Sequence, residues 1–144
     1  MATPTTPEEN KRLARRYPED VATGGNVDLI DTICAEDVVE RGSLGERRGR
    51  EALKEQSEYI HVAFPDVSVT IEDVVAEGDT VAQRLTFRGT HKGEFMGIEP
   101  TENQVEIANT LFTRIEDGQI VERWLLIDSL GLLQQLGVGE PLGE

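Results

Sequence analysis

The chain is poor in cysteine and histidine, and each shortage excludes a class of site. Cys34 is the only cysteine, so the chain can form neither an intramolecular disulfide nor a metal site built from several cysteines. His61 and His91 are the only histidines and belong to no His-Glu-x-x-His pattern, so we expect no metal. No glycine-rich phosphate loop leads into a helix. We therefore expect no cofactor.

Positive charge is also scarce, and this limits the possible partners. The 144 residues include 28 acidic and 14 basic side chains, which gives a net charge of -14. Phosphate-rich partners need a positive field, so we expect neither nucleic acid nor an anionic membrane surface as a partner. No apolar run reaches transmembrane length and no signal peptide is recognisable, so we expect a cytoplasmic protein.

The few cations are unevenly divided, with three lysines against eleven arginines, and aromatic residues make up only 5%. A dense acidic surface with few lysines and few large apolar groups suits a protein kept in solution at high salt, where ions screen its self-repulsion. We therefore hypothesise a salt-adapted organism. The alternative is an ordinary acidic protein, and full stability in dilute buffer would favour that alternative.

Helical periodicity dominates the first half of the chain. Residues 6–9 (Thr-Pro-Glu-Glu) predict a helix start, and Pro18 predicts a kink or a restart of that helix. A second helix is expected after Asn26, with Cys34 in its buried stripe. A short strand is expected at residues 37–41, followed by a third helix from about Arg50 to Ala63.

A twofold alternation of apolar and polar residues replaces the helical period from Val67 onward. It predicts a meander of antiparallel strands, with turns at residues 77–79 and 116–118 and a glycine-rich connection at residues 89–101. Helices followed by such strands indicate a single α+β domain over residues 1–144, with flexible tails at 1–6 and 138–144. Gly89 and Gly93 lie where bulges could bend the sheet.

The last predicted strand, residues 119–128, is apolar on both faces and ends in the carboxylate of Asp128. If Trp124 and Leu126 form a pocket wall, a carboxylate beside them would lose hydration, which would raise its pKa and suit it to acid/base chemistry. Alternatively, Asp128 caps a helical segment that begins at Ser129. Because the strand cannot leave two apolar faces in water, we expect its outer face to form a homodimer interface.

Further polar side chains are candidates for the same pocket, each with a structural alternative. His91 could act as a second acid/base group or order its own loop, and Asn109 could hydrogen-bond an enolate oxygen or satisfy a bulge. Arg41 and Arg88 could balance a pocket carboxylate or bind an anionic substrate, or they could form surface ion pairs. The same interpretation places two more strand residues on the substrate-binding wall: Phe87 and Leu111.

Spaced motifs occur at residues 64–66 (Phe-Pro-Asp), 77–79 (Glu-Gly-Asp), 89–97, 114–124 and 132–137, with Asp128 between the last two. In this order they resemble the SnoaL-like polyketide cyclases, also called ester cyclases, over roughly residues 10–137. The resemblance implies the nuclear transport factor 2 fold, a cone of helices and curved sheet around a pocket, commonly dimeric. It also implies a cofactor-free intramolecular aldol reaction, with an acid/base aspartate that matches Asp128.

Three functions remain open at this point. The first is a cofactor-free cyclase or isomerase that acts on a small apolar carbonyl compound, with Asp128 as acid/base and Asn109 and His91 as helpers. The second is a non-catalytic small-molecule binding protein of the same fold. The third is an epoxide hydrolase of the limonene type, which needs two acids around an arginine, whereas Asp128 and Arg88 supply only one of each.

Overall fold

Four helices and six strands occupy residues 5–138, the part of the chain that this computed structural model describes. The helices are α1 (Pro7–Arg16), α2 (Ile30–Ile33), α3 (Arg50–Ala63) and α4 (Ser129–Gln135). The strands are β1 (Cys34–Gly42), β2 (Arg47–Arg48), β3 (Ser68–Glu77), β4 (Thr80–Thr90), β5 (Gln104–Glu116) and β6 (Gln119–Ile127). Most of the two predicted tails, residues 1–4 and 139–144, lies outside the described residues.

Local sequence signals set both ends of α1. The Thr6 hydroxyl accepts a hydrogen bond from the Glu9 backbone N–H at 3.1 Å, and Pro7 occupies the first helical position, so the predicted start is confirmed. At Pro18, which has no N–H to donate, the helix continues as a π-helical turn over Tyr17–Thr23. This turn buries Tyr17 and Pro18 and brings both to an interior cavity.

The six strands form one mixed sheet in the order β2-β1-β6-β5-β4-β3. Every neighbouring pair is antiparallel except β1 and β6, which run parallel. The predicted α+β class and the mostly antiparallel sheet are therefore confirmed, and β6 lies between β1 and β5 near the middle of the sheet. Among the helices just described, none is long and apolar enough to cross a membrane.

β1 begins earlier than the sequence pattern predicts. Periodicity places Cys34 in the second helix, but α2 ends at Ile33 and Cys34 has extended backbone angles, φ -110° and ψ 146°. The Cys34 side chain is fully buried, as an apolar stripe requires. Because a helix and a strand can both bury this side chain, its apolar character alone could not distinguish them. The predicted strand at residues 37–41 is correspondingly too short.

The expectation that Gly89 and Gly93 form bulges is wrong. Pairing between β4 and β5 runs without interruption through Gly89, whereas register shifts occur between Ile71 and Asp73 in β3, within the β5–β6 pair and in β1. The two glycines instead allow close packing onto the end of α3. A Cβ at Gly93 would lie 2.3 Å from the Val62 carbonyl oxygen, a distance that no side chain could tolerate.

Two clusters of buried apolar side chains make up the core. The first packs α1, the π-helical turn and α2 against the sheet. The second joins the end of α3 to β5 and α4, and five of its members also border the interior cavity: Phe64, Val67, Phe95, Ile107 and Leu132. The helices therefore close one face of the sheet and leave a space within the second cluster.

Candidate functional site

A cavity of about 120 Å³ lies between the helices and the inner face of the sheet. Two thirds of the lining side chains are apolar: Pro18, Ala22, Leu44, Ile60, Phe64, Val67, Val69, Leu85, Phe87, Phe95, Ile107, Leu125, Ile127 and Leu132. The polar lining residues are Tyr17, Glu40, Gln56, Ser57, His61, Asn109 and Arg123. Such an apolar space with a few convergent polar groups is the usual form of a small-molecule site.

The faces of β6 are the reverse of the sequence prediction. Arg123, Leu125 and Ile127 point to the cavity, whereas Trp124 and Leu126 are 46% and 53% exposed on the outer face. The predicted pocket wall of Trp124 and Leu126 is therefore wrong. Side chains alternate along a strand, so an error of one residue moves every one of them to the other face. An apolar pattern on both faces gave no signal to choose between them.

Two of the predicted lining residues do reach the cavity. Phe87 of β4 and Asn109 of β5 line it, together with their inner-face neighbours Leu85 and Ile107. Leu111 shares the inner face of β5 and is fully buried, but it is not among the lining residues. The structure thus brings Asn109 into the site as the sequence suggested, in an otherwise apolar stretch of strand.

Asp128 lies at the N-terminus of α4 and is exposed. Its carboxylate accepts a hydrogen bond from the Gly131 backbone N–H at 2.9 Å, which is the geometry of a helix N-cap. A Cβ at Gly131 would lie 2.2 Å from the carboxylate, so glycine makes this contact possible. Asp128 is absent from the cavity lining, and the expectation that it forms a pocket wall with Trp124 is wrong.

His91 is fully buried, and its contacts order the connection between β4 and β5. Its Nδ1 accepts a hydrogen bond from the Thr101 backbone N–H at 3.1 Å, and its ring packs on Phe64 with centroids 5.6 Å apart. The backbone of His91 also bonds to Asn103 and Glu102 across the loop. Because His91 does not line the cavity, these contacts support the structural alternative.

Arg41 and Arg88 form ion pairs away from the cavity lining. Arg88 pairs with Glu106 at 2.5 Å on the outer face of the sheet. Arg41 pairs with Glu46 and Glu122 and lies 5.6 Å from the centre of the Trp124 ring. A hydrogen bond from Trp124, together with the charge of Arg41, lowers the pKa of Glu122. The placement of Arg41 and Arg88 at the pocket is therefore wrong.

The strongest electrostatic feature of the cavity is a buried ion pair that the sequence interpretation missed. Glu40 of β1 lies opposite Arg123 of β6, and the Arg123 guanidinium bonds to the Glu40 carboxylate. The guanidinium carbon also lies 3.5 Å from the centre of the Tyr17 ring. Glu40 and Arg123 are only 3% and 5% exposed. Both strands carry further charges, at Glu36, Asp37 and Arg41 in β1 and at Glu122 in β6, so no local signal singled out this pair.

Burial and neighbouring charges shift the pKa values of Tyr17 and Arg123. Burial raises the pKa of the Tyr17 phenol, so that it stays neutral and remains a hydrogen-bond donor. Burial lowers the pKa of Arg123, but the interactions with Glu40, Tyr17 and Cys34 together outweigh burial, so the pKa of Arg123 is raised. Arg123 thus stays charged in the cavity wall, where a buried guanidinium without a carboxylate partner would be strongly unfavourable.

Several buried polar atoms at the cavity have no hydrogen-bond partner in the chain. Within residues 5–138, side chains with such atoms are Ser57, His61, Gln83, His91, Asn109 and Arg123, and four of these six line the cavity. An unpaired buried polar group costs about 1–3 kcal/mol. Groups with this cost are expected where a ligand or an ordered water supplies the missing partner.

The orientation of the His61 ring leaves one nitrogen without a partner in the chain. Its Nδ1 lies 2.8 Å from the Ser57 carbonyl oxygen, one turn earlier in α3. A carbonyl oxygen only accepts hydrogen bonds, so Nδ1 carries the proton, and Nε2 of the neutral ring has a free lone pair. Nε2 is buried and has no partner in the chain. A histidine at a helix end belongs to no catalytic sequence pattern, so the sequence alone does not mark His61 as a site residue.

A more open groove adjoins the cavity and shares Leu44, Gln56 and Phe95 with it. These shared residues separate the interior from solvent, and the exposed side chain of Met96 lies beside them. The groove is therefore a route by which a small molecule could enter. No cluster of three or more metal-ligating side chains occurs among residues 5–138.

Comparison with known proteins agrees with this architecture. The family model for SnoaL-like polyketide cyclases matches residues 11–136. AclR from Streptomyces galilaeus, a candidate hydroxylase, is 29% identical with a TM-score of 0.84, covering 96% of this chain and 91% of that chain. IdmH from Streptomyces antibioticus, a candidate polyketide cyclase, is 31% identical with a TM-score of 0.77, covering 90% and 99%.

A limonene-epoxide-hydrolase-like enzyme of M. tuberculosis is 15% identical with a TM-score of 0.73, covering 90% of each chain, so only the fold is shared. None of the curated protein sequences matches. The family match extends over nearly all of the described residues, and the neighbours share the nuclear transport factor 2-like arrangement of helices on a curved sheet. The chain therefore belongs to the SnoaL-like polyketide cyclase family.

Proposed function

We propose that the protein is a cofactor-free cyclase or isomerase that acts on a small apolar carbonyl compound by acid/base catalysis. The observation that carries this proposal is the apolar cavity in which Ser57, His61, Asn109 and Arg123 present polar atoms without partners. Four such groups would not be expected in a cavity with only a structural role, because each unpaired buried group lowers the stability of the fold. Membership of the cyclase family supports the same reaction class.

His61 is the proposed acid/base group. Its Nε2 lone pair accepts a proton from the carbon next to the substrate carbonyl; the C–H bond breaks and its electron pair moves onto the carbonyl oxygen as an enolate. The Asn109 amide hydrogen-bonds that oxygen. In a cyclase the enolate carbon attacks a second carbonyl, and the His61 imidazolium gives its proton to the oxygen of that carbonyl. In an isomerase the imidazolium instead returns the same proton to another carbon of the enolate.

The predicted acid/base role of Asp128 stays a prediction; Asp128 is exposed and is not among the residues that line the cavity. The cap that it provides to α4 explains its presence without chemistry. This observation also favours the second candidate, a non-catalytic binding protein, in which the polar lining only orients a ligand. For an epoxide hydrolase, the described lining offers one arginine, Arg123, but only one carboxylate, Glu40.

Hydrogen–deuterium exchange at the carbon next to a ketone tests the proposal without knowledge of the natural substrate. Cyclohexanone in D₂O is followed by proton NMR with and without protein. We expect the wild type to accelerate exchange by at least about 100-fold, the size of a typical acid/base contribution, and His61→Gln to lose this acceleration. Asp128→Asn should retain it. Binding of the ketone without any acceleration would instead support the binding-protein candidate.

The outer face of the sheet supports the predicted homodimer. Its exposed apolar side chains come from three strands: Val75, Phe112, Trp124 and Leu126. Phe112 pairs directly with Trp124 across β5 and β6. A contiguous apolar patch of this kind is rarely left in water, and a second copy of the chain would cover it. The dimer would leave the cavity, on the opposite face, accessible through its groove.

Two predictions about the surroundings of the protein stay as proposals. A cytoplasmic location fits a reaction on a small diffusible substrate. Salt adaptation fits the net charge of -14, because added ions would screen repulsion among the surface carboxylates. We expect the midpoint of thermal unfolding to rise between about 0.1 M and about 2 M KCl. An unchanged midpoint would favour an ordinary acidic protein.

A further inference from the structure

We propose that Arg123 anchors the carbonyl oxygen of a neutral ligand the size of one six-membered ring, and that Glu40 excludes carboxylates from the same place. This inference rests on the proposed function only for the site and for the carbonyl group. It adds the charge of the ligand, its size and the residues that select for both.

One hydrogen-bond donor of the inner sheet face is available to such an oxygen. Arg123 uses one terminal nitrogen for Glu40, while its Nε–H is buried and has no partner. Asn109 on the adjacent strand also lines the cavity, but the register pairs it with Ile127 and pairs Arg123 with Thr113, four positions away along the strands. The unpartnered atom of Asn109 is its amide oxygen, which accepts hydrogen bonds. The Arg123 Nε–H is therefore the group that can hold the carbonyl oxygen.

The charge of the site favours a neutral ligand. The Arg123 charge is already balanced by Glu40, and the packing of the guanidinium on Tyr17 holds it in place. A ligand carboxylate next to Arg123 would also lie near the Glu40 carboxylate, with little water to screen the repulsion. A ketone, ester or lactone oxygen accepts the same hydrogen bond without that repulsion.

The volume of the cavity sets the size of the group that it can hold. An engineered cavity of roughly 150 Å³ in another protein holds benzene. The cavity of about 120 Å³ here therefore suits a single six-membered ring at most. Any further rings of a larger substrate would lie in the adjoining groove beyond Leu44 and Phe95. The ligand class is thus a monocyclic ketone, or a larger molecule that inserts one carbonyl-bearing ring.

Three probes of nearly equal size separate these contributions: cyclohexanone, methylenecyclohexane, which replaces the oxygen with a CH₂ group, and cyclohexanecarboxylate. Their dissociation constants at pH 7 are measured by ligand-observed NMR. We expect cyclohexanone to bind at least about tenfold tighter than either of the others, because only it supplies a neutral acceptor. Equal affinity for methylenecyclohexane, or the absence of binding by all three, would overturn the inference.

The variant Glu40→Gln tests the exclusion of carboxylates. Removal of the Glu40 charge leaves the positive charge of Arg123 without a balancing carboxylate. Cyclohexanecarboxylate should therefore bind to Glu40→Gln at least about tenfold tighter than to the wild type. The matched control is Glu106→Gln, which makes the same change in the exposed Arg88–Glu106 pair and should alter no affinity. Unchanged carboxylate binding in folded Glu40→Gln would contradict the role of Glu40. If that variant does not fold, the ranking of the three probes by the wild type decides.

The outcomes also separate this inference from the proposed function. If the probes bind in the predicted order but the protein does not accelerate hydrogen–deuterium exchange, the inferred carbonyl anchor stands and the proposed catalysis is wrong. If exchange is accelerated but the probes do not bind in that order, the proposed catalysis stands and the inferred anchor is wrong.

Discussion

The two faces of β6 differ in what they meet, although both carry apolar side chains. The inner face places Arg123, Leu125 and Ile127 against the cavity. The outer face leaves Trp124 and Leu126 about half exposed. The most hydrophilic side chain of the strand is thus inside, and its largest aromatic side chain is outside.

This difference shows that charge does not mark the solvent side of a strand when a partner is available. Arg123 can be buried because Glu40 supplies the opposite charge and Tyr17 supplies a ring face. Trp124 can be exposed because neighbouring apolar side chains make its face a potential interface. Each face therefore has its own function in our account: the inner face binds a ligand, and the outer face binds a second copy.

The largest expected effect is on the inner ion pair. Arg123→Met leaves Glu40 buried without a partner and should lower the free energy of unfolding by about 3–5 kcal/mol. The matched outer-face change, Arg88→Met, breaks an exposed pair and should cost no more than about 1 kcal/mol. Urea denaturation of the two variants measures both values. Similar losses in both variants would show that the two faces do not differ in this way.

The next effect is on association through the outer face. Leu126→Asp introduces a charge into the proposed interface and should raise the dimer dissociation constant at least about tenfold, with little effect on the fold of the monomer. Val62→Asp is the matched control, because Val62 is an apolar side chain on α3 that is 67% exposed. Sedimentation equilibrium measures both. A wild type that is monomeric at high concentration would remove the outer-face interface from the account.

A smaller effect is expected where β6 ends. Asp128→Ala removes the cap of α4 and should destabilise the fold by about 1 kcal/mol, whereas Asp128→Asn keeps a capping oxygen and should cost less. Thermal or urea unfolding gives the two values. If Asp128 were catalytic, Asp128→Asn would retain its stability but lose the exchange of ketone protons. The cap account predicts that this variant retains both.

The smallest effect concerns Cys34, which is buried next to the inner pair in β1. Burial raises the pKa of the Cys34 thiol from 9.0 to about 11. In the unfolded chain the thiol ionises near pH 9, whereas the folded chain keeps it protonated, so stability should fall as pH rises from about 9 to about 11. Cys34→Ala should lack this component of the pH dependence. Rapid alkylation of the native thiol at pH 8 would contradict its burial.

The sequence was sufficient for the fold because its signals there are local. The cap and proline at the start of α1, the long α3 and the alternation of β3 to β6 each depend on near neighbours along the chain. The four spaced motifs between residues 64 and 124 then identified the family that the family model also matches.

The site was harder to predict from the sequence because it is formed by residues that are distant along the chain. Glu40 and Arg123 meet only because β1 runs parallel beside β6, a pairing that no local pattern indicates. The prediction chose the wrong inner face for β6 because the alternation of side chains indicates two faces but does not show which of them is buried. Asp128 looked catalytic because capping and pocket chemistry both need a carboxylate at the end of a strand.

The most direct test of the account follows one signal from each face of β6 during the addition of cyclohexanone. Nitrogen-15 NMR can observe the Nε–H of a buried arginine, identified for Arg123 by its loss in Arg123→Lys, and the indole N–H of Trp124, the only tryptophan. We predict that the Arg123 signal shifts and saturates with the ketone, while the Trp124 signal stays in place. A shift of Trp124 with no change at Arg123 would contradict the account.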